Sequence, residues 1–108
     1  VLFFVGLDRE LLTNPRIVFT DEKTVIDEEL MLFSKVVPGA YSMKSNQVLF
    51  SKRQGKLLPD DFCHEQNLVI TAREKKMLIS GCSHAGIVSI QSKAEELTSQ
   101  QMETVVGE

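Results

Sequence analysis

The chain has 108 residues, of which 43% are hydrophobic and 25% are charged, a composition typical of a folded globular domain rather than a disordered segment. Its 12 basic and 15 acidic residues are interspersed and leave a formal net charge of −3, so the charge pattern does not indicate nucleic-acid binding. Two cysteines are too few for a disulfide framework, which favours a reducing compartment such as the cytoplasm.

The first half of the chain predicts short strands joined by polar turns. The apolar start, Val1–Val5, is too short to span a membrane and lacks the basic flank of a signal peptide, so we interpret it as a core strand. A short helical turn is predicted from Asp8 to Leu12. It ends before Asn14-Pro15, because Pro cannot continue a helix and restricts the residue before it. Four β-type runs follow at 17–20, 24–26, 30–33 and 47–50, with a loop at 38–46 and a hairpin tip at Gly55.

The second half predicts a more regular unit. Two strands, Asn67–Thr71 and Met77–Ser80, are joined by a tight polar hairpin, and their near-continuous apolar character indicates burial on both faces. An amphipathic helix over 85–99 covers one face, and Thr104–Val106 adds a further strand. The apolar positions of this helix are Ile87, Val88, Ala94 and Leu97. The predicted fold class is therefore α/β (α+β), a mainly β layer with one covering helix.

The turn after strand 77–80 carries the side chains best suited to catalysis or metal binding. It places a thiol, a hydroxyl and an imidazole at the end of the strand, in Cys82, Ser83 and His84. Side chains that leave a buried strand are held rigidly, and flanking glycines allow a sharp turn. His is the commonest metal ligand, but a single His beside a helix start also fits a hydrogen-bonded cap. The residues alone leave both roles open for His84.

A family resemblance lies in two segments of the second half. The segment Asp60–Ile70, with Phe62 followed by Glu65-Gln66, leads through the strand pair into the turn Gly81-Cys82-Ser83-His84. In this order, over about residues 60–107, these features resemble the second half of a metallo-β-lactamase-fold hydrolase, and in particular its dihydropterin-aminobenzene-phosphate synthase-like branch. The resemblance implies part of an αββα sandwich, with mainly antiparallel or mixed strands and one covering helix.

The resemblance also implies a metal site at this end of the sheet. It assigns His84 as a ligand, with zinc, or another divalent metal such as manganese or iron, as the cofactor of the whole protein. Cys82 stands where many relatives of this fold carry a bridging Asp, so it is either next to the metal or a small buried residue. His64 is a candidate second ligand or a surface residue, and Glu65 either orients an imidazole or anchors the structure.

The chain departs from the family pattern at both ends. Family members carry a His-x-His-x-Asp-His motif in their first half, whereas the histidines here are His64 and His84 alone. The segment Met102–Glu108 stops where the family motif that carries the last ligand His would begin. We therefore interpret residues 1–108 as a single partial domain, an internal piece of a longer protein that alone would lack a complete metal site and hydrolytic activity.

Two functional hypotheses remain. The first is that the parent protein is a hydrolase in which metal-activated water attacks an ester, phosphoester or similar bond of a small-molecule substrate. The second is a non-catalytic α/β interaction or scaffold module in which the turn at residues 81–84 is structural. Neither involves nucleic acid or a membrane. Because half of a sandwich leaves one apolar sheet face uncovered, we expect a homo-oligomer or packing against the missing remainder of the same fold.

Overall fold

The computed structural model describes residues 3–39 and 44–108. Its elements are, in chain order, a 3₁₀ helix (Arg9–Thr13), β1 (Lys23–Val25), β2 (Leu30–Phe33), a 3₁₀ helix (Lys44–Val48), β3 (Phe50–Arg53), β4 (Lys56–Pro59), β5 (Asn67–Ala72), β6 (Lys75–Ser80), α1 (Ile87–Thr98) and β7 (Thr104–Val106).

One mixed sheet dominates the fold. Its strand order is β1-β2-β5-β6-β7, with antiparallel pairing throughout except between β6 and β7, which are parallel. Parallel neighbours need a crossover connection, and α1 provides it between β6 and β7. The strands β3 and β4 form a separate two-stranded hairpin. The predicted α/β class, with mainly antiparallel strands and one covering helix, is thereby confirmed.

Both predicted hairpins are present. Between β5 and β6, Arg73 and Glu74 have φ values of 52° and 66°, and Ala72 pairs with Lys75. A two-residue turn with two positive φ values matches the twist of antiparallel strands. The β3–β4 hairpin turns similarly at Gln54-Gly55, with φ values of 50° and 78°. The strand predicted at 47–50 instead begins at Phe50, because a 3₁₀ helix occupies the residues before it.

The hydrophobic core lies between the sheet and α1. Its buried members are Phe33, Val36, Val69, Leu78, Ala85, Ile90, Ala94 and Met102. Ile90 and Ala94 are one helical turn apart and are both fully buried. Val88, which the sequence predicted on the apolar face, is 64% exposed, because two residues turn a helix by about 200° and place it almost opposite Ile90.

The predicted burial of both sheet faces is wrong for the described residues. Along β5 and β6, fully buried positions such as Val69 and Leu78 alternate with positions that keep partial exposure. Cross-strand partners share a face, so Leu68 and Ile79 lie on the side opposite to Val69 and Leu78. On this second face Met77 is 37% exposed. The helix therefore covers one face, and the other remains an open apolar surface.

In the part of the chain that the structure describes, two predicted strands of the first half do not form. Residues 3–5 and 17–20 have irregular backbone, and Phe3, Phe4, Val5, Val18 and Phe19 are exposed. A strand needs a neighbouring strand to satisfy its backbone, and neither segment pairs with one. Val1, Leu2 and residues 40–43 of the predicted loop lie outside the described residues.

The predicted helical turn is confirmed as the first 3₁₀ helix, where Asp8 accepts a hydrogen bond from the Glu10 backbone N–H at 3.0 Å. Within the described ranges, no helix has the length and apolar character needed to cross a bilayer.

Candidate functional site

The turn between β6 and α1 is built on buried hydrogen bonds. Ser83, which is almost fully buried, donates its hydroxyl to Ser80 Oγ at 2.9 Å, and Ser80 donates to Asn67 Oδ1 at 2.8 Å. Ser83 has a φ of 54° and Gly86 a φ of 93°, so the backbone turns twice within four residues. Buried polar groups that are all partnered specify one conformation. Ser83 is therefore a structural residue of this turn.

Glu65 holds the same turn from the preceding loop. Its carboxylate accepts hydrogen bonds from the backbone N–H groups of His84, at 2.8 Å, and Ala85, at 3.2 Å. Hydrogen bonds to a charged group contribute roughly 1.5–3 kcal/mol each. Of the two roles predicted for Glu65, the geometry agrees with the structural anchor. The carboxylate contacts the backbone of His84 and not its ring.

The His84 ring contacts two other side chains. Its Nδ1 lies 2.9 Å from Asn46 Oδ1, and Asn46 Nδ2 donates to the His84 carbonyl at 2.7 Å. The ring of Phe62 stacks on the imidazole with a centroid separation of 4.4 Å and an interplanar angle of 12°. Gly86 is the N-cap of α1 and makes no side-chain capping bond. His84 is therefore held as an oriented imidazole, not as a helix cap.

Phe62 reaches its place through an uncommon backbone conformation. Its φ is 56°, a left-handed value that bulky residues rarely adopt. Asp60 Oδ1 accepts from the Phe62 N–H at 2.9 Å, and Asp61 Oδ1 accepts from the Cys63 N–H at 3.0 Å. Strained backbone that the surrounding structure maintains is characteristic of functional sites. Both aspartates thus act as turn acids.

Asp61, in the loop between β4 and β5, forms an ion pair with Arg53 of β3. The Arg53 guanidinium, 2.7 Å from Asp61 Oδ1, holds the pKa of the Asp61 carboxyl well below its usual range. A hydrogen bond to Asp61 in turn raises the pKa of the Cys63 thiol, so Cys63 remains a neutral thiol at physiological pH.

All three candidate ligands border one open cleft of about 920 Å³, lined in addition by Asp60, Phe62 and Glu65. His84 is half-buried there, Cys82 is exposed, and His64 is exposed with its Nε2 3.2 Å from Asp60 Oδ2. The apolar part of the cleft's lining comes mainly from residues 5–19, which include the first 3₁₀ helix, and from the two residues at and before the start of β3. Its members are Val5, Leu7, Leu11, Leu12, Ile17, Val18, Phe19, Leu49 and Phe50.

The described residues do not form a complete metal site. Within residues 3–39 and 44–108, no three His, Cys, Asp or Glu side chains come together to hold a metal ion. A catalytic zinc takes three protein ligands and a water. The chain therefore offers one well-oriented imidazole, His84, and the roles of Cys82 and His64 stay predictions.

Sequence reasoning did not identify the partners of the His84 ring. Phe62 belongs to the segment that carries the family resemblance, but no local pattern indicates that it stacks on an imidazole. Asn46 lies in the predicted loop, 38 residues before His84, and carries no local signal. Both contacts arise from tertiary packing.

Comparison with known proteins supports the fold. No protein-family model matches the chain, and no curated protein matches it by sequence. Among solved structures, it resembles Tm1679, described as a metal-dependent hydrolase of the beta-lactamase superfamily, with a TM-score of 0.70 and 28% sequence identity. The match covers 90% of this chain and 37% of that one, so the chain spans little more than a third of its structural relative. The mixed α/β fold is accordingly that of part of a β-lactamase-fold domain, similar in structure to a metal-dependent hydrolase.

Proposed function

We propose that the protein containing this chain is a metal-dependent hydrolase of the metallo-β-lactamase superfamily, in the dihydropterin-aminobenzene-phosphate synthase-like branch. The observation that carries the proposal is the structural similarity over 90% of the chain to a metal-dependent hydrolase. The oriented imidazole of His84 on the cleft agrees with it, because hydrolytic metal sites use rigidly held side chains at the ends of strands.

In this proposal His84 supplies one metal ligand from the turn after β6. Cys82 and His64, which border the same cleft, are the candidates for further contacts, and the remaining ligands come from polypeptide outside this chain. When bound, zinc, manganese or iron supplies a Lewis acid and lowers the pKa of a bound water. Glu65, Asn46 and Phe62 keep the imidazole in place. The substrate is a small molecule with an ester, phosphoester or similar bond, and the protein acts in the cytoplasm.

Metal analysis tests the proposal directly. We expect the protein, purified without chelator, to contain close to one or two equivalents of zinc, manganese or iron, and to lose both metal and hydrolysis of activated ester or phosphoester substrates after treatment with a chelator. Adding the metal back should restore the activity. Full activity in metal-free protein would overturn the proposal, and a protein with neither metal nor activity would favour the non-catalytic scaffold module.

The open sheet face leads us to propose self-association of the 108-residue chain. Its exposed apolar surface on the side opposite α1 favours a second copy wherever the remainder of the fold does not cover it. We expect a dimer or larger species in sedimentation experiments. Met77→Lys, which places a charge on this face, should shift the population toward monomer, whereas Val88→Lys on the outer side of α1 should not. A wild-type monomer that is independent of concentration would contradict the proposal.

A further inference from the structure

The side-chain amide of Asn46 makes two hydrogen bonds to the same residue. Its Nδ2 donates to the backbone carbonyl of His84 at 2.7 Å, and its Oδ1 lies 2.9 Å from Nδ1 of the His84 ring. The carbonyl oxygen can only accept a hydrogen bond, so the NH₂ group must face it. Rotating the amide by 180° would bring two acceptor oxygens together. The orientation of Asn46 is thus determined by the backbone of His84.

This orientation decides which ring nitrogen of neutral His84 carries the proton. Since Oδ1 of Asn46 can only accept, Nδ1 of His84 must donate. In a neutral imidazole the second nitrogen then has a lone pair and no hydrogen. The imidazole of histidine in water prefers the opposite arrangement, with the proton on Nε2. The contact with Asn46 therefore selects the tautomer that is less favoured in solution.

We propose that Asn46 is a positioning residue that holds His84 in the Nδ1–H tautomer and so offers the Nε2 lone pair to the cleft. A neutral imidazole nitrogen is the form that binds a metal ion, and a hydrogen bond from the other ring nitrogen orients the ring and raises its basicity. The identification of the acceptor as a metal ion depends on the proposed function. The tautomer itself does not depend on it.

Two further contacts restrict the ring to this arrangement. Phe62 stacks on the imidazole at 4.4 Å, which limits rotation out of the plane. Glu65 binds the His84 backbone N–H at 2.8 Å, which fixes the carbonyl and ring relative to the turn. Asn46 occupies the Nδ1 edge, and His84 also lines the cleft. With the Nδ1 edge and one ring face occupied, Nε2 is the nitrogen available to a ligand.

Nitrogen NMR of the metal-free protein tests the tautomer. With ¹⁵N-labelled histidine at mildly alkaline pH, we expect long-range proton–nitrogen correlations to show a protonated Nδ1 and an unprotonated Nε2 for His84. Asn46→Ala should move the signals toward the Nε2–H form. Gln47→Ala, an exposed neighbour on the same 3₁₀ helix, controls for disturbance of that segment and should resemble the wild type.

Binding of cobalt or zinc ions by the whole protein that contains this chain gives a second measurement. We expect Asn46→Ala to weaken metal binding roughly 10- to 100-fold, the usual effect of removing a partner of a ligand histidine. A wild-type His84 in the Nε2–H form, or an Asn46→Ala protein with unchanged tautomer, would overturn the inference. The expected tautomers in a wild-type protein that binds no metal would support the positioning role and contradict the proposed hydrolase instead.

Discussion

In the whole protein that contains this chain, His84→Ala should remove the bound metal and abolish hydrolysis while the protein stays folded. The substitution deletes a proposed ligand, and changes to residues that merely support a ligand already cost roughly 10- to 100-fold, so we expect a loss of activity larger than about 100-fold. The fold should survive because the Glu65 carboxylate binds the backbone N–H of residue 84, which alanine retains. Metal content by elemental analysis, hydrolysis and circular dichroism on the same preparation measure the three effects.

The control for this experiment is Val88→Ala. Val88 lies four residues further along the chain, is 64% exposed and does not line the cleft, so metal content and activity should match the wild type. Metal content is compared between folded His84→Ala protein and folded wild-type protein. A His84→Ala protein that is folded and retains its full metal content would mean that His84 is not a ligand.

Ile90→Ala should have the largest effect on stability. Ile90 is completely buried and belongs to the core between α1 and the sheet. Truncating a buried Ile to Ala removes apolar contacts and leaves a cavity, which costs about 2–5 kcal/mol of unfolding free energy. Urea unfolding should show a lower midpoint with an unchanged slope, because the surface exposed on unfolding stays nearly the same.

Ile87→Ala is the matched control for this substitution. It removes the same atoms from the same helix, but Ile87 is 36% exposed, so less apolar surface is lost and no closed cavity forms. We expect a markedly smaller loss of stability. Equal losses at positions 87 and 90 would mean that α1 does not pack on the sheet through Ile90.

Most of the second half of the fold is predictable from local signals. The β5–β6 hairpin, α1 and β7 appear in the structure within two residues of their predicted bounds, because strand length, polar turns and helical spacing are all encoded over short distances. Phe3–Val5 and 17–20 are equally apolar but form no strand. Apolar character indicates burial or β propensity without specifying a partner strand, and these segments pair with none.

The candidate site, like the fold, is predictable from the sequence only in part. The amino-acid pattern located Cys82 and His84, because a glycine-flanked turn after a buried strand is a local feature, and the resemblance supplied the Glu65 segment and the hydrolase class. The pattern did not reveal the orientation of the His84 ring, which depends on Asn46, 38 residues away, and on stacking with Phe62. Hydrogen-bond and stacking partners so far apart in the chain meet only when the fold brings their loops together. The short-range sequence pattern therefore identified the residue, and tertiary packing determined the hydrogen-bond and stacking partners of its ring.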